Sequence, residues 1–472
     1  MTTRRETLKL LSAGALATAS IGTMQLALGG FQRAHAADVS GYKALVCIFL
    51  FGGLDSYDWL IPYDVSSYDR WAEIRAGLLG DWATTPSGNT RARDRLLPIN
   101  PVNADEFGNR QFALTEEYAD LHNLFETGRA AIVGNVGPLI FPTDATQFAN
   151  KSVALPSKLF SHNDQQSTWM ASGPEGATYG WGGLFADAVA ASDANTSPDF
   201  TALTTLGPQT YLSGEQIRPF AISPQGAPSI AFLEALANTP YTPALKDHFR
   251  AQGYGGQNLI SQDIAAVTKQ SLELNEAYNA ALESGGSVST TFPSSPLGAQ
   301  LETVAQAIAI RNQLGARRQV FMVGFGGFDS HSLQASSLSG KLPIINDAIG
   351  AFYRALETIG AENDVTTFTM SDFGRALAPN GDGTDHGWGA HHLIVGGAVT
   401  GQTIYGDIPP ADFGHSQDAG NGRLIPTTSV EQFAEPLGRW FGLNDSELAS
   451  ALPNFGNFDS KPQMKAMLKP QI

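Results

Sequence analysis

The sequence predicts an α/β fold three layers deep, a mainly parallel central sheet flanked by helices. Two observations carry that expectation. Short runs of β-forming residues alternate along the chain with stretches of helical period. The runs are also apolar at nearly every position rather than every second one, as strands covered on both faces are.

The run Lys43–Phe51, KALVCIFLF, stops abruptly at Gly52-Gly53 and predicts the first buried strand. Ala130–Val136, Gln319–Phe325, Val365–Met370 and Leu393–Val395 read in the same way. Helical periodicity predicts Leu114–Glu126, Leu159–Ala171, Gly183–Ala191, Leu259–Leu282, Gln300–Leu314, Leu342–Ile359 and Val430–Phe441 between and after them. Residues 63–111 and 193–257 are richer in Pro, Gly, Ser, Thr and Asn, and read as insertions or lid-like loops over one edge. Ser284–Pro296 reads as a flexible polar connector. With no internal repeat, residues 37–472 are expected to form one domain with these insertions.

Residues 1–36 have the three-part layout of a cleaved export signal: a charged start with Arg4-Arg5, an apolar stretch over about Leu8–Leu28 and the small-x-small triplet Ala34-His35-Ala36. TRRETLK matches the receptor-read twin-arginine pattern, so the twin-arginine export machinery is the expected partner, with cleavage before Ala37 and a periplasmic or secreted product. An uncleaved anchor is the alternative. The apolar stretch is diluted by Ser, Thr, Gly and Ala, and no later segment reaches the ~18 uninterrupted apolar residues of a membrane span, so no stable span is expected after cleavage.

The 472 residues carry a formal charge of −16, which becomes about −19 without the basic leader. A nucleic-acid partner is thereby disfavoured. Cys47 is the only cysteine, which excludes an intramolecular disulfide and a thiolate metal site.

The polar residues gather in telling places. Asp55, Asp329 and Asp372 each lie just past the carboxyl end of a predicted parallel strand, where open α/β sheets place their ligands. Taken singly, each would serve as a helix cap or turn residue. Of the nine histidines, five fall in the same segments: His162, His331, His386, His391 and His392. Carboxylate and imidazole together suit Zn, Mn or Fe. Local hydrogen bonding within the Gly-rich loop Gly381–His392 is the alternative, and the adjacent His391 and His392 would point to opposite faces of a strand.

Ser161 opens a predicted helix, where free N–H groups favour phosphate- or sulfate-like anions; it reads as a nucleophile or as an ordinary N-cap. Arg375 is placed to neutralise an oxyanion, or to act as an ion-pair residue. Gly52-Gly53 also invites comparison with a dinucleotide loop, but G-x-G-x-x-G is absent and Asp55-Ser-Tyr-Asp-Trp-Leu-Ile-Pro62 replaces the required helix start.

FLFGGLDSYDWLIP, SHNDQQSTWMASG, GFGGFDSHSLQ, SDFGRALAPNGDGTDHGWGAHHLIVGGAV and GQTIYG resemble the DUF1501 family over essentially the whole mature chain. That family is similar to the alkaline-phosphatase-like superfamily, which includes sulfatases. The resemblance implies an alkaline-phosphatase-like fold and one or two divalent ions, Zn before Mn or Fe. It implies Asp55, Asp329, His331 and Asp372 as metal ligands, with His386 or His391 completing the set, and Ser161 as the nucleophile; Arg375 and His162 are the further catalytic candidates. Two ions ~4 Å apart would clamp the transferring group. One departure is visible: Phe373 stands where the superfamily has His, so His162 or another group substitutes, or one ion is bound, or catalysis is lost. The expected function is an exported, metal-dependent hydrolase of phosphate or sulfate esters of small molecules or glycans. The alternative is a non-catalytic extracytoplasmic binding or assembly protein that keeps the fold.

Overall fold

The computed structural model describes residue 37 and residues 39–227, 242–251, 258–459 and 461–469. The predicted leader at 1–36, and parts of the predicted insertion at 193–257, lie outside the described residues. Strands are numbered in chain order: β1 (Lys43–Phe51), β2 (Leu60–Pro62), β3 (Leu97–Pro98), β4 (Phe112–Leu114), β5 (Ala130–Gly137), β6 (Ala202–Thr204), β7 (Phe220–Ala221), β8 (Arg318–Gly326), β9 (Val365–Ser371), β10 (Arg375–Asn380), β11 (Gly383–His386), β12 (Ala390–Val395), β13 (Ile404–Gly406) and β14 (Thr428–Ser429). The main sheet has the order β13-β5-β12-β9-β1-β8-β6-β7, with β14 also on β5. All its pairings are parallel except the two made by β12.

Two cores explain why β1 is apolar throughout. Ala44, Val46, Ile48 and Leu50 face one, built with helices Ala119–Glu126, Pro296–Ala309 and Gln334–Thr358. Leu45, Cys47 and Phe49 face the other, built with helices His162–Ala171, Trp181–Ala190 and Val430–Phe441. Side chains alternate across a strand, so a central strand between two helical layers must be apolar at both parities. The expected α/β fold with a mostly parallel sheet is what the chain adopts.

The differences from expectation have local causes. Leu114–Glu126 splits into β4, a 3-10 turn at Glu116–Tyr118 and a helix from Ala119. The helix expected from Leu342 begins at Gln334, placing Pro343 in its interior rather than in the first turn that proline favours. Leu393–Val395 belongs to a six-residue strand that runs antiparallel, reached through the β10–β11 hairpin without a crossover helix. Residues 193–227 add β6 and β7 to the main sheet, so this part is sheet rather than a loop laid over its edge. The stretch 63–111 carries helices Val65–Ile74 and Ala76–Ala83 and β3, which joins β4 and β2 in a small antiparallel sheet. The connector after Ser284 is irregular, but its Val288 and Phe292 pack against the core.

Gly52 and Gly53 draw the loops after β1, β8 and β9 together. Both have positive φ, +114° and +82°. A Cβ on Gly52 would meet Asp329 N at 2.4 Å, and one on Gly53 would meet the Phe373 ring at 2.4 Å. Gly52→Ala should therefore destabilise the protein by about 2–4 kcal/mol. Urea unfolding would show this as a lower midpoint at unchanged slope, and an unchanged midpoint would refute the close approach.

Candidate metal centre

At the carboxyl edge of the sheet, side chains from three distant segments meet. Asp329 comes from the loop after β8, His386 ends β11, and His162 opens helix His162–Ala171. One ligand atom from each lies within 4.8 Å of the others. Asp329 Oδ1 is 3.1 Å from His386 Nε2, and Oδ2 is 3.5 Å from His162 Nε2. His331 Nε2 lies 2.8 Å from His386 Nε2 and 3.3 Å from Asp329 Oδ1, a fourth donor at the rim. The side chains of Asp329, His162 and His386 are 45%, 27% and 22% exposed, so the cluster opens to solvent.

The outer nitrogens of both rings are held. His162 Nδ1 is 2.6 Å from Asp372 Oδ2, and His386 Nδ1 is 2.8 Å from the Phe160 carbonyl. Each contact assigns its proton to Nδ1 and leaves the Nε2 lone pair for the cluster, the arrangement that outer partners impose on metal-binding histidines. The hydrogen bond to Asp372 raises the His162 pKa against the opposing effect of burial, with Asp329 adding to the rise. Burial lowers that of His386. Burial alone would raise Asp329, but its contact with the His386 ring and the nearby charges of Arg375, His162 and His331 bring it below the usual carboxylate range.

These residues fit a divalent metal. His162 Nε2 is buried and hydrogen-bonds nothing, which is costly for an imidazole nitrogen unless something else uses its lone pair. Ligand atoms in a tetrahedral zinc site are ~3.4 Å apart, given Zn–N and Zn–O lengths of about 2.1 Å, and the separations from Asp329 match that spacing.

Five predicted residues stand outside this cluster, Asp372 and four others, each for a visible reason. Asp55, read as a ligand, is fully buried in an ion pair with Arg75 (2.7 Å), and also accepts from Gln334 Nε2 (2.8 Å) and Tyr57 N (3.0 Å). His391, also read as a ligand, accepts at Nδ1 from Asn135 N (2.9 Å) within the interior. Its neighbour His392 points to the other face, between Trp169 and Phe433, so neither ring joins the cluster. Arg375, read as an oxyanion clamp, is fully buried; it donates to Thr384 Oγ1 (2.9 Å) and Gly52 O (3.0 Å), and reaches Asp329 Oδ1 at 3.3 Å. Its guanidinium lies behind Asp329, away from solvent. Ser161 occupies the N-cap position without capping, its hydroxyl donating instead to Asp164 Oδ2 (2.9 Å). It sits in sequence between Phe160 and His162, which both touch the cluster.

Asp372 stands behind His162, as described, and not among the cluster atoms. Sequence reading missed Gln166, whose Nε2 donates to Asp372 Oδ2 (2.8 Å). Its spacing of four from His162 places both on one helical face, a signal available beforehand. It also missed Gln334, which bridges Asp55, Asp58, Ser330 and Thr384 beneath the site. That role depends on contacts across the chain and leaves no local pattern.

This sheet defines an α/β protein, and the carboxylate and imidazole cluster at the carboxyl ends of its strands could hold a metal ion. The chain belongs to the family described as protein of unknown function DUF1501, whose profile matches residues 42–452. No curated protein matches it. Among solved structures, that of Ps i-CgsB in complex with k-i-k-neocarrahexaose matches over 89% of this chain and 75% of its own, at 11% identity and a TM-score of 0.29. A Bacteroides thetaiotaomicron structure described with the metabolism of multiple glycosaminoglycans matches over 77% of this chain and 69% of its own, at 10% identity and 0.28. A substituted alkaline phosphatase PafA matches over 71% of this chain and 64% of its own, at 10% identity and 0.24. Scores of this size leave the chemistry to be read from this chain's own side chains.

The two interior histidines make stability depend on pH. Burial drives His391 and His392 down to about 3. Their folded-state values thus lie below the unfolded value of about 6.5, so as pH falls the unfolded chain takes up these protons first. Their contribution is intact above about 6.5 and is lost progressively toward 3, at up to ~1.4 kcal/mol per pH unit for each ring. The urea midpoint should fall from pH 7 to pH 5, and His392→Phe should make that decline shallower; an equal slope in the variant would rule out a titrating His392.

Proposed function

We propose that this protein is an exported hydrolase of phosphate or sulfate esters, acting at a divalent metal held by His162, Asp329 and His386. Zn is the first candidate for the ion, and Mn or Fe the others. The observation that carries the reading is the buried, unpartnered Nε2 of His162, aimed at a carboxylate, in a set whose rings are locked from behind. The ester class comes from the motif resemblance, and the twin-arginine pattern of Arg4-Arg5 supplies the export route. Among the described residues no helix is long and apolar enough to cross a membrane.

When bound, the ion would supply Lewis-acid polarisation of the ester oxygens. Ser161 is the nucleophile in this reading: its oxygen attacks phosphorus or sulfur as its proton passes to the Asp164 carboxylate it already touches, the bond from phosphorus or sulfur to the alcohol oxygen breaks, and the alcohol departs with a proton taken from solvent at the open face. Water then attacks the same phosphorus or sulfur, the bond to Ser161 Oγ breaks, Asp164 returns the proton to Oγ, and phosphate or sulfate is released with the water proton passing to solvent. Arg375 holds Asp329 in place through both changes. The substrate is a small molecule or a glycan ester that reaches the open face of the cluster. A second reading, a non-catalytic binding or assembly protein, draws on Phe373, whose ring lies against both His162 and His386 at centroid distances of 4.8 and 4.6 Å.

On p-nitrophenyl phosphate and sulfate, Ser161→Ala should lower kcat/KM at least ~10³-fold with bound metal unchanged. Asp329→Ala should lose metal and turnover together, by elemental analysis and the same assay. Turnover that survives Ser161→Ala would remove Ser161 as nucleophile, and a folded, metal-loaded wild type inactive on both esters would favour the binding protein.

Export has its own test: Arg4→Lys combined with Arg5→Lys should keep the full-length chain in the cytoplasm on cell fractionation. Continued appearance of a shortened chain outside would reject the twin-arginine route.

A further inference from the structure

The environment of Asp372 bears on how many ions the centre takes. Its side chain has no exposure. Oδ1 accepts from Gly52 N (3.1 Å), while Oδ2 accepts from Gln166 Nε2 (2.8 Å) and faces His162 Nδ1 at 2.6 Å. Both oxygens are thus engaged by protein donors, and the two donors on Oδ2 saturate it. The next side chain, Phe373, is fully buried and fills the space beside Gly53, with its ring against His162 and His386. A second ion beside Asp372 would need that carboxylate freed from three donors, and the adjoining space is already filled by the Phe373 ring. Asp55, the other strand-end carboxylate read as a ligand, is itself tied to Arg75 and Gln334.

We infer that the centre takes a single divalent ion and that Asp372 is a positioning residue. By accepting the Nδ1 proton of His162, it holds that ring in the tautomer whose Nε2 lone pair points at Asp329. Gln166, on the same helix, aims Asp372 in turn. This inference rests on the reading of the cluster as a metal centre but is independent of ester hydrolysis.

Asparagine at position 372 makes the consequence concrete. Its single carbonyl oxygen cannot serve both Gly52 N and the donors now on Oδ2. If the oxygen keeps Gly52, the amide NH₂ faces His162 Nδ1 and selects the opposite tautomer, with the proton on Nε2 where the ion should be. Gly52 lies at the crossing of three loops, so its bond is the one the packing favours.

The test is metal titration of the purified full chain by calorimetry with Zn²⁺, and by visible absorption with Co²⁺. Wild type should bind one equivalent. Asp372→Asn should still bind one, ~10–100-fold more weakly, and should cause no further loss in a His162→Ala background. Two equivalents in wild type with one lost in Asp372→Asn would overturn the inference, and so would an equal loss with or without His162. No bound metal in folded wild type overturns it together with the metal centre. One equivalent without ester turnover removes the hydrolase reading alone and upholds the inference. Should Asp372→Asn fail to fold, long-range ¹H–¹⁵N correlation on metal-free wild type at alkaline pH reads the tautomer directly. A proton on His162 Nδ1 supports the assignment and one on Nε2 overturns it.

Discussion

The site depends on a backbone crossing at Gly52. Its N–H reaches Asp372, its carbonyl takes Arg375, and its Cα lies against the Phe328–Asp329 peptide. No residue with a Cβ fits there, since both the positive φ and the 2.4 Å approach exclude one. β8 and β9 pair with β1 on either side, so their carboxyl ends arrive together by topology. The missing side chain converts that nearness into contact. Asp329 is set relative to Asp372, and hence to His162, by main-chain geometry before any ligand binds.

Beneath this crossing lies a buried polar layer that decides which carboxylates stay available. Asp55 and Asp58 are matched by Arg75 and Arg91, at 2.7 and 3.1 Å, and Gln334 spans the two acids. Arg75 and Arg91 are fully buried, and removing one member of such a pair typically costs ~3–5 kcal/mol because a charge is left unpaired in the interior. The layer reaches the cluster through Ser330, which bonds Gln334 beside Asp329, and through Thr384, which bonds both Gln334 and Arg375. Asp55 therefore acts as foundation, while Asp329, braced on one side only, keeps its other face for solvent.

The sheet was legible because burial on both faces forces an apolar run, and β1 is the clearest case. The edge of the sheet that carries the site was legible for a related reason: glycines and carboxylates directly after such runs mark strand exits. Which carboxylate would face the cluster was not legible. Gly-Gly-Leu-Asp55-Ser and Gly-Gly-Phe-Asp329-Ser have nearly the same local form, and they part only because Arg75 and Gln334 claim the first. Those partners become neighbours of Asp55 by folding alone. The adjacent His391 and His392 were bound to point apart by strand alternation, and both faces of β12 proved to be interior. Arg375 read either as an oxyanion partner or as an ion-pair residue, because nothing local shows the Gly52 and Thr384 oxygens and the Asp329 carboxylate that take its donors.

The ligand set also bears on the proposed route of export. His162, Asp329 and His386 are separated by long stretches of chain and come together only when the sheet, the Gly52 crossing and helix His162–Ala171 are in place. An unfolded chain therefore has no such site, and in the proposed reading metal affinity appears only with the fold. Metal choice by an imidazole and carboxylate site follows availability as much as intrinsic affinity, because the tightest-binding ions win wherever they are free. A chain that folds before it crosses the membrane takes its ion from the metal pool of the cytoplasm, whereas one that folds afterwards takes whatever its surroundings hold. In the proposed reading, the twin-arginine pattern at the start of the chain and the assembled nature of the cluster answer the same requirement, that the ion be selected by a finished site.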